Sequence, residues 1–187
     1  MKNILYINSC VREESRTERI AKELLSRLGN DFCELNLAEL NLTPLTKEKL
    51  NLRTALIKKN YYDDCMFDLA KQFAAADIVV ISAPYWDLSF PALLKTYIEN
   101  IYITGIVSEY GVDGRPRGLC KAEKLYYVTT SGGPLIQDFG YGYIKTLATD
   151  CFGIKEIKLI KAEMLDVDGF NADITVAQTI KSLDKML

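Results

Sequence analysis

Short, β-prone apolar runs alternate with longer stretches of helical period along the whole chain, and this rhythm restricts the folds open to it. Asn3 to Asn8 (NILYIN) reads as a strand, and Thr17 to Leu28 sets Ile20, Ala21, Leu24, Leu25 and Leu28 on one helical stripe before Gly29. Phe32 to Leu37 alternates like a second strand. Lys47 to Asn60 carries only a weak helical period, and Asp64 to Ala76 a clearer one. Asp77 to Ser82 reads as the third strand. Pro91 then starts a helix marked by Leu93, Leu94, Tyr97, Ile98 and Ile101, at a first-turn position where a missing N–H costs nothing. Lys124 to Thr129 is the fourth strand, Tyr141 to Phe152 a helix ended by Gly153, Glu156 to Lys161 the fifth strand and Asn171 to Met186 the last helix. Between helix and fourth strand, EYGVDGRPRGLCK within Ile103 to Lys121 has no period, so a hairpin or extended surface loop is expected there. Strands separated by helices join as a parallel sheet covered on both faces. The expectation is a three-layer α/β sandwich, strand order 2-1-3-4-5, as a single domain over residues 1–187.

Composition narrows the chemistry. Lys plus Arg number 23 against 25 Asp plus Glu, a net charge of −2 with no block of like charge, so no nucleic-acid partner is expected. The apolar run before Asn8 is too short for a signal peptide, and nothing approaches the roughly 18 apolar residues that span a bilayer. A cytoplasmic protein without a membrane partner is expected. The 5 cysteines (Cys10, Cys33, Cys65, Cys120, Cys151) form no C-x-x-C pair and read as reduced small hydrophobes, with no metal site. With 0 histidines, the commonest metal ligand and general base are missing, so chemistry falls to other side chains or to a cofactor.

In such a sheet, ligands bind beyond the carboxyl ends of the strands. Three loops leave those ends with unusual residues. After the first strand come Ser9, Ser15, Arg16 and Thr17, hydroxyls and a cation beside the positive end of a helix, suited to a phosphate monoester; Ser15 with Glu18 equally fits a simple capping box. After the third strand, Pro84-Tyr85-Trp86-Asp87-Leu88 stands between prolines, either as a stiffened ligand wall or as ordinary aromatic packing. After the fourth, Thr130-Ser131-Gly132-Gly133 allows close backbone approach to a flat ligand, or simply a tight turn. No G-x-x-x-x-G-K-[ST] and no G-x-G-x-x-G follows the first strand, which argues against a nucleoside triphosphate or a Rossmann dinucleotide.

These residues resemble the flavodoxin-like family of FMN-dependent NADH-azoreductases and NAD(P)H quinone oxidoreductases. Ser9 matches the serine that closes the family's first strand, and Ser15-Arg16-Thr17 its S-x-[ST] phosphate motif. Pro84-Tyr85-Trp86-Asp87-Leu88 matches its P-M-x-N-F-type flavin loop, and Thr130-Ser131-Gly132-Gly133 its S-R-G-G-type loop. Tyr110 to Gly118 is similar to its F-x-Y-x-x-x-G-x-x-G-L segment. Tyr85, Asp87 and Leu88 stand where the family has methionine, asparagine and phenylalanine, and Ser131 where many relatives have arginine.

The resemblance implies a flavodoxin-like FMN-binding domain in which the flavin carries the redox chemistry and no protein side chain is a catalytic acid or base. It implies ping-pong two-electron hydride transfer from NADH or NADPH to a small-molecule quinone or azo acceptor. It also implies a homodimer with aromatic residues roofing each site, for which Tyr110, Phe139, Tyr141 and Tyr143 are candidates. A flavodoxin-type single-electron carrier for a protein partner shares fold and cofactor, but such carriers are strongly acidic. A flavin-free binding domain ranks lower still.

Overall fold

Ile4–Asn8 (β1) is buried along its entire length, and it is the strand from which the sheet grows in both directions. The computed structural model describes residues 2–29, 31–137 and 139–187. β1 pairs in parallel with β2 (Phe32–Asn36) on one side and β3 (Ile78–Ser82) on the other. β3 pairs with the next long strand, Lys124–Thr130, and that with the last, Glu156–Ala162. A two-stranded antiparallel hairpin, β4 (Ser108–Tyr110) with β5 (Pro116–Gly118), occupies the excursion, so the long strands are β6 and β7. The sheet order β2-β1-β3-β6-β7 is the expected 2-1-3-4-5.

Alternation along the strands divides the core in two. Tyr6, Val80, Tyr126 and Val128 meet Ile20, Ala21, Leu24 and Leu25 of α1 (Arg16–Leu28) and Val176 of α6 (Ala172–Ser182). Leu5, Ile7, Val79, Ile81 and Tyr127 meet Phe73 of α3 (Asp68–Ala75), Leu94, Tyr97 and Ile98 of α4 (Ala92–Ile101), and Ile144 of α5 (Tyr141–Thr146). Each fully buried large aliphatic contributes about 1.5–3 kcal/mol relative to exposure. Helices on both faces are what a buried parallel sheet requires.

Local chemistry explains the smaller departures from expectation. α2 (Lys47–Lys58) has no buried residue, which is why its helical period is weak. The segment from Asp64 opens with a tight turn, Cys65–Phe67, because the Asp64 carboxylate accepts from the Met66 N–H at 2.9 Å before α3 begins. α5 does not run as an α-helix to Phe152: from Leu147 it widens into a π-helical turn that ends at Gly153, left-handed with φ 80°. There β5 crosses so closely that a Cβ on Gly118 would lie 2.1 Å from the Gly153 nitrogen. No helix among the described residues is long and apolar enough to cross a membrane.

Candidate functional site

Beneath the carboxyl edge of the sheet lies a small buried polar lattice. The Ser9 hydroxyl donates to the Ser82 carbonyl at 2.8 Å, Ser82 Oγ donates to Asn8 Oδ1 at 3.1 Å, and Tyr6 shares a hydrogen bond with Ser82 Oγ at 2.9 Å. Asn8 Oδ1 also accepts from the Cys10 N–H at 3.0 Å. Burial pushes the Cys10 thiol pKa up, keeping it protonated and unreactive. These bonds lock the end of β1 against β3, so that the next residues leave the sheet in a defined direction.

Ser15 then caps α1: its hydroxyl accepts from the Glu18 N–H at 3.3 Å. The capping reading of this loop therefore applies, while the N–H groups of Arg16 and Thr17, in the first turn, have no intrahelical acceptor. Thr17 is buried, and its hydroxyl meets that of Thr130 at 2.6 Å, joining the first loop to the third. Arg16 Nη1 donates to Asp166 Oδ1 at 2.8 Å and to the Leu165 carbonyl at 3.3 Å. Its charge is thus partly engaged within the protein.

The aromatic loop is held from both sides. The Tyr85 N–H donates to the Thr130 carbonyl at 2.9 Å, and its phenol donates to the Gln137 carbonyl at 3.0 Å. Trp86 and Ser89 exchange backbone hydrogen bonds of 3.1 and 2.8 Å around a two-residue turn in which Asp87 (φ 49°) and Leu88 (φ 68°) are both left-handed. Asn-Gly is the favoured pair for such a turn. Asp-Leu holds it under strain, because Leu has no easy access to positive φ.

A cavity of about 410 Å³ opens among these loops, within the roughly 300–1,000 Å³ typical of small-molecule sites. Ser15, Arg16, Thr17, Pro84, Tyr85, Trp86, Thr130, Ser131 and Gly132 all line it. Ser9, Asp87, Leu88 and Gly133 are not in its wall: Ser9 is sealed in the lattice below, and Asp87 and Leu88 are exposed at the turn. The sequence reading did not include Val11, Arg12, Glu14, Leu165 and Asp166, which complete the lining.

Leu165 and Asp166 follow β7, and the strand order supplies the missing signal, since the fifth strand must empty beside the fourth. Their N–H groups donate to the Ser131 and Gly132 carbonyls at 3.2 and 3.0 Å, tying that exit to the glycine loop. A Cβ on Gly132 would sit 2.6 Å from Asp166 Oδ2, so a larger residue there would require that carboxylate to swing away. Among the proposed roof residues, Tyr141 packs against Tyr127 with ring centroids 6.0 Å apart and Tyr143 against Phe90 at 5.6 Å, while Tyr110 and Phe139 are exposed.

The donor set fits a flavin mononucleotide in kind. One end offers free first-turn N–H groups, the Ser15 hydroxyl and two guanidinium groups to an anion, and the other offers proline, tyrosine and tryptophan to a flat apolar body. Glu14 and Asp166 balance Arg12 and Arg16, so anion binding there rests on hydrogen-bond donors more than on net charge.

The chain is similar to known proteins over its whole length. A family model described as the flavodoxin-like fold matches residues 2–187. An FMN-dependent NADH:quinone oxidoreductase of Coprothermobacter proteolyticus is 32% identical, the match covering 100% of this chain and 98% of that protein. FMN-dependent NADH:quinone oxidoreductase 2 of Clostridium acetobutylicum is also 32% identical, over 97% of this chain and 96% of its own length. Among solved structures, an azoreductase from Bacillus anthracis superposes with a TM-score of 0.85 at 20% identity, covering 100% of this chain and 98% of that one. An FMN-dependent NADH-azoreductase from the same species, in complex with FMN, gives 0.82 at 20% identity, covering 100% of this chain and 97% of that one. The chain belongs to the flavodoxin-like family that includes the FMN-dependent NADH:quinone oxidoreductases.

Proposed function

We propose that this protein is an FMN-dependent NADH:quinone oxidoreductase, acting on quinones or azo compounds. The observation that carries the reading is the single cavity joining the hydroxyl-bearing N-terminus of α1 to the stiff Tyr85–Trp86 turn. FMN, when bound, supplies two-electron transfer between a nicotinamide donor and a small-molecule acceptor. Ser15, Thr17 and the first-turn N–H groups hold the phosphate, with Arg16 kept in place by Asp166. Pro84, Tyr85 and Trp86 form the wall for the ring system, and backbone groups of Ser131 and Gly132 form its polar edge. Donor and acceptor use this one site in turn, which makes the cycle ping-pong. Ser9 acts from below, through its bond to Ser82, by fixing where the first loop leaves the sheet. Asp87, exposed at the turn, keeps its carboxylate away from the wall.

Residues 1–187 act as one domain, in a cytoplasmic homodimer whose contact surface includes Tyr110 and Phe139. Light scattering should then return twice the mass of one chain; a monomer at working concentration rejects the dimer. Purified protein should be yellow, release FMN on denaturation and oxidise NADH with menadione. Colourless protein that cannot be reconstituted rejects the reading, and bound FMN without NADH oxidation points to an electron carrier.

A further inference from the structure

Every cation on the first two turns of α1 already has a carboxylate. Arg16 Nη1 lies 2.8 Å from Asp166 Oδ1, Arg19 Nη1 3.6 Å from Asp173 Oδ1, and Lys22 Nζ 2.6 Å from Glu18 Oε1. In the loop before the helix, Arg12 stands beside Glu13 and Glu14, and none of the three forms an ion pair among the described residues. The end of the cavity assigned to the phosphate therefore carries no surplus of positive charge.

Asp166 is the carboxylate paired to Arg16 within the cavity wall. Backbone hydrogen bonds keep it at the cavity: its N–H donates to the Gly132 carbonyl at 3.0 Å, and that of Leu165 to the Ser131 carbonyl at 3.2 Å. Arg16 does not depend on this charge for its position, because its Nη1 also donates to the Leu165 carbonyl at 3.3 Å. A neutral acceptor in place of the carboxylate would orient the guanidinium and leave its charge free for a ligand.

A phosphate monoester carries about −1.5 to −2 charge at neutral pH. At ~0.1 M salt, charges act on one another over about 10 Å. Asp166 thus works against the phosphate twice, by cancelling Arg16 and by repelling the anion directly. A ligand with the same ring and polyol chain but no phosphate feels neither effect.

We propose that Asp166 holds down the affinity of this site for the phosphate-bearing flavin, so that FMN exchanges with the pool in solution. The proposal rests on the FMN reading of the cavity. The test is fluorescence-quenching titration of FMN and of riboflavin into protein stripped of flavin. The Asp166 side chain is 66% exposed, so substitutions there leave the core intact. Asp166→Asn should bind FMN at least threefold tighter than wild type and release it more slowly, with riboflavin unchanged. Asp166→Glu, which keeps the charge, should stay near wild type. The gain should shrink at about 1 M salt, where screening confines charges to about 3 Å. Unchanged or weaker FMN binding by Asp166→Asn, or an equal change for both flavins, would overturn the proposal and leave the FMN reading standing. Wild-type protein that binds neither flavin would reject the FMN reading, and the proposal with it.

Discussion

Leu88 stands at φ 68° beside Asp87 at 49°, the two central residues of the turn that ends the aromatic loop. Asp visits the left-handed region with modest cost, whereas Leu there carries a penalty of roughly 1–2 kcal/mol. A β-branched side chain at the same position is worse still. Leu88→Gly should therefore be more stable in urea unfolding than Leu88→Val by at least about 1 kcal/mol; the reverse order would show that the turn is unstrained. The first loop has its own test. Ser15 and Thr17 are proposed to meet the phosphate, and hydrogen bonds to charged groups contribute about 1.5–3 kcal/mol each. Replacing both by alanine should weaken FMN at least tenfold while riboflavin, which lacks the phosphate, changes little. Equal losses for the two flavins would assign these hydroxyls only to the cap and to the Thr130 contact.

Among elements, β5 and the end of the π-helical turn approach closely at a glycine. A methyl group on Gly118 would meet the backbone of Phe152 and Gly153 at 2.1 Å, where no side chain can rotate away. Gly118→Ala should lower stability by about 3 kcal/mol, near the top of the overpacking range, as read from thermal or urea unfolding; a neutral effect would mean the hairpin is free to shift. This contact also shows the limit of reading elements from sequence. Strands β1, β3, β6 and β7 and helices α1 and α4 were legible, because their apolar period follows directly from which face each buries. The π-helical widening was not, since it depends on a hairpin arriving from residues 108–118, and no local pattern within Leu147–Phe152 records that neighbour. At the cavity the same division holds. Loops leaving β1, β3 and β6 advertise themselves by hydroxyls, aromatics and glycines, but Leu165 and Asp166 enter the lining only through the pairing of β6 with β7.

For the molecule as a whole, Asp77 ties together the entries of two strands and the exit of the excursion. Its carboxylate accepts from the Asn3 N–H at 2.8 Å and pairs with the Lys121 amine at 2.7 Å. The Lys121 bond first, and the Asn3 N–H second, hold its pKa below the ordinary 3.8. A carboxylate with a depressed folded pKa stabilises fully above the unfolded value and loses that contribution as pH falls through the folded one. Wild type should therefore exceed Asp77→Asn in stability at neutral pH, with the gap closing as pH drops below 3.8; a gap independent of pH would remove the charge from the explanation. The Arg16–Asp166 ion pair spans 150 positions of sequence, from the start of the first helix to the exit of the last strand. Because that pair and Leu165 line the cavity among the three loops, a nascent chain that still lacks β7 and the residues after it has no finished pocket for a cofactor to fill.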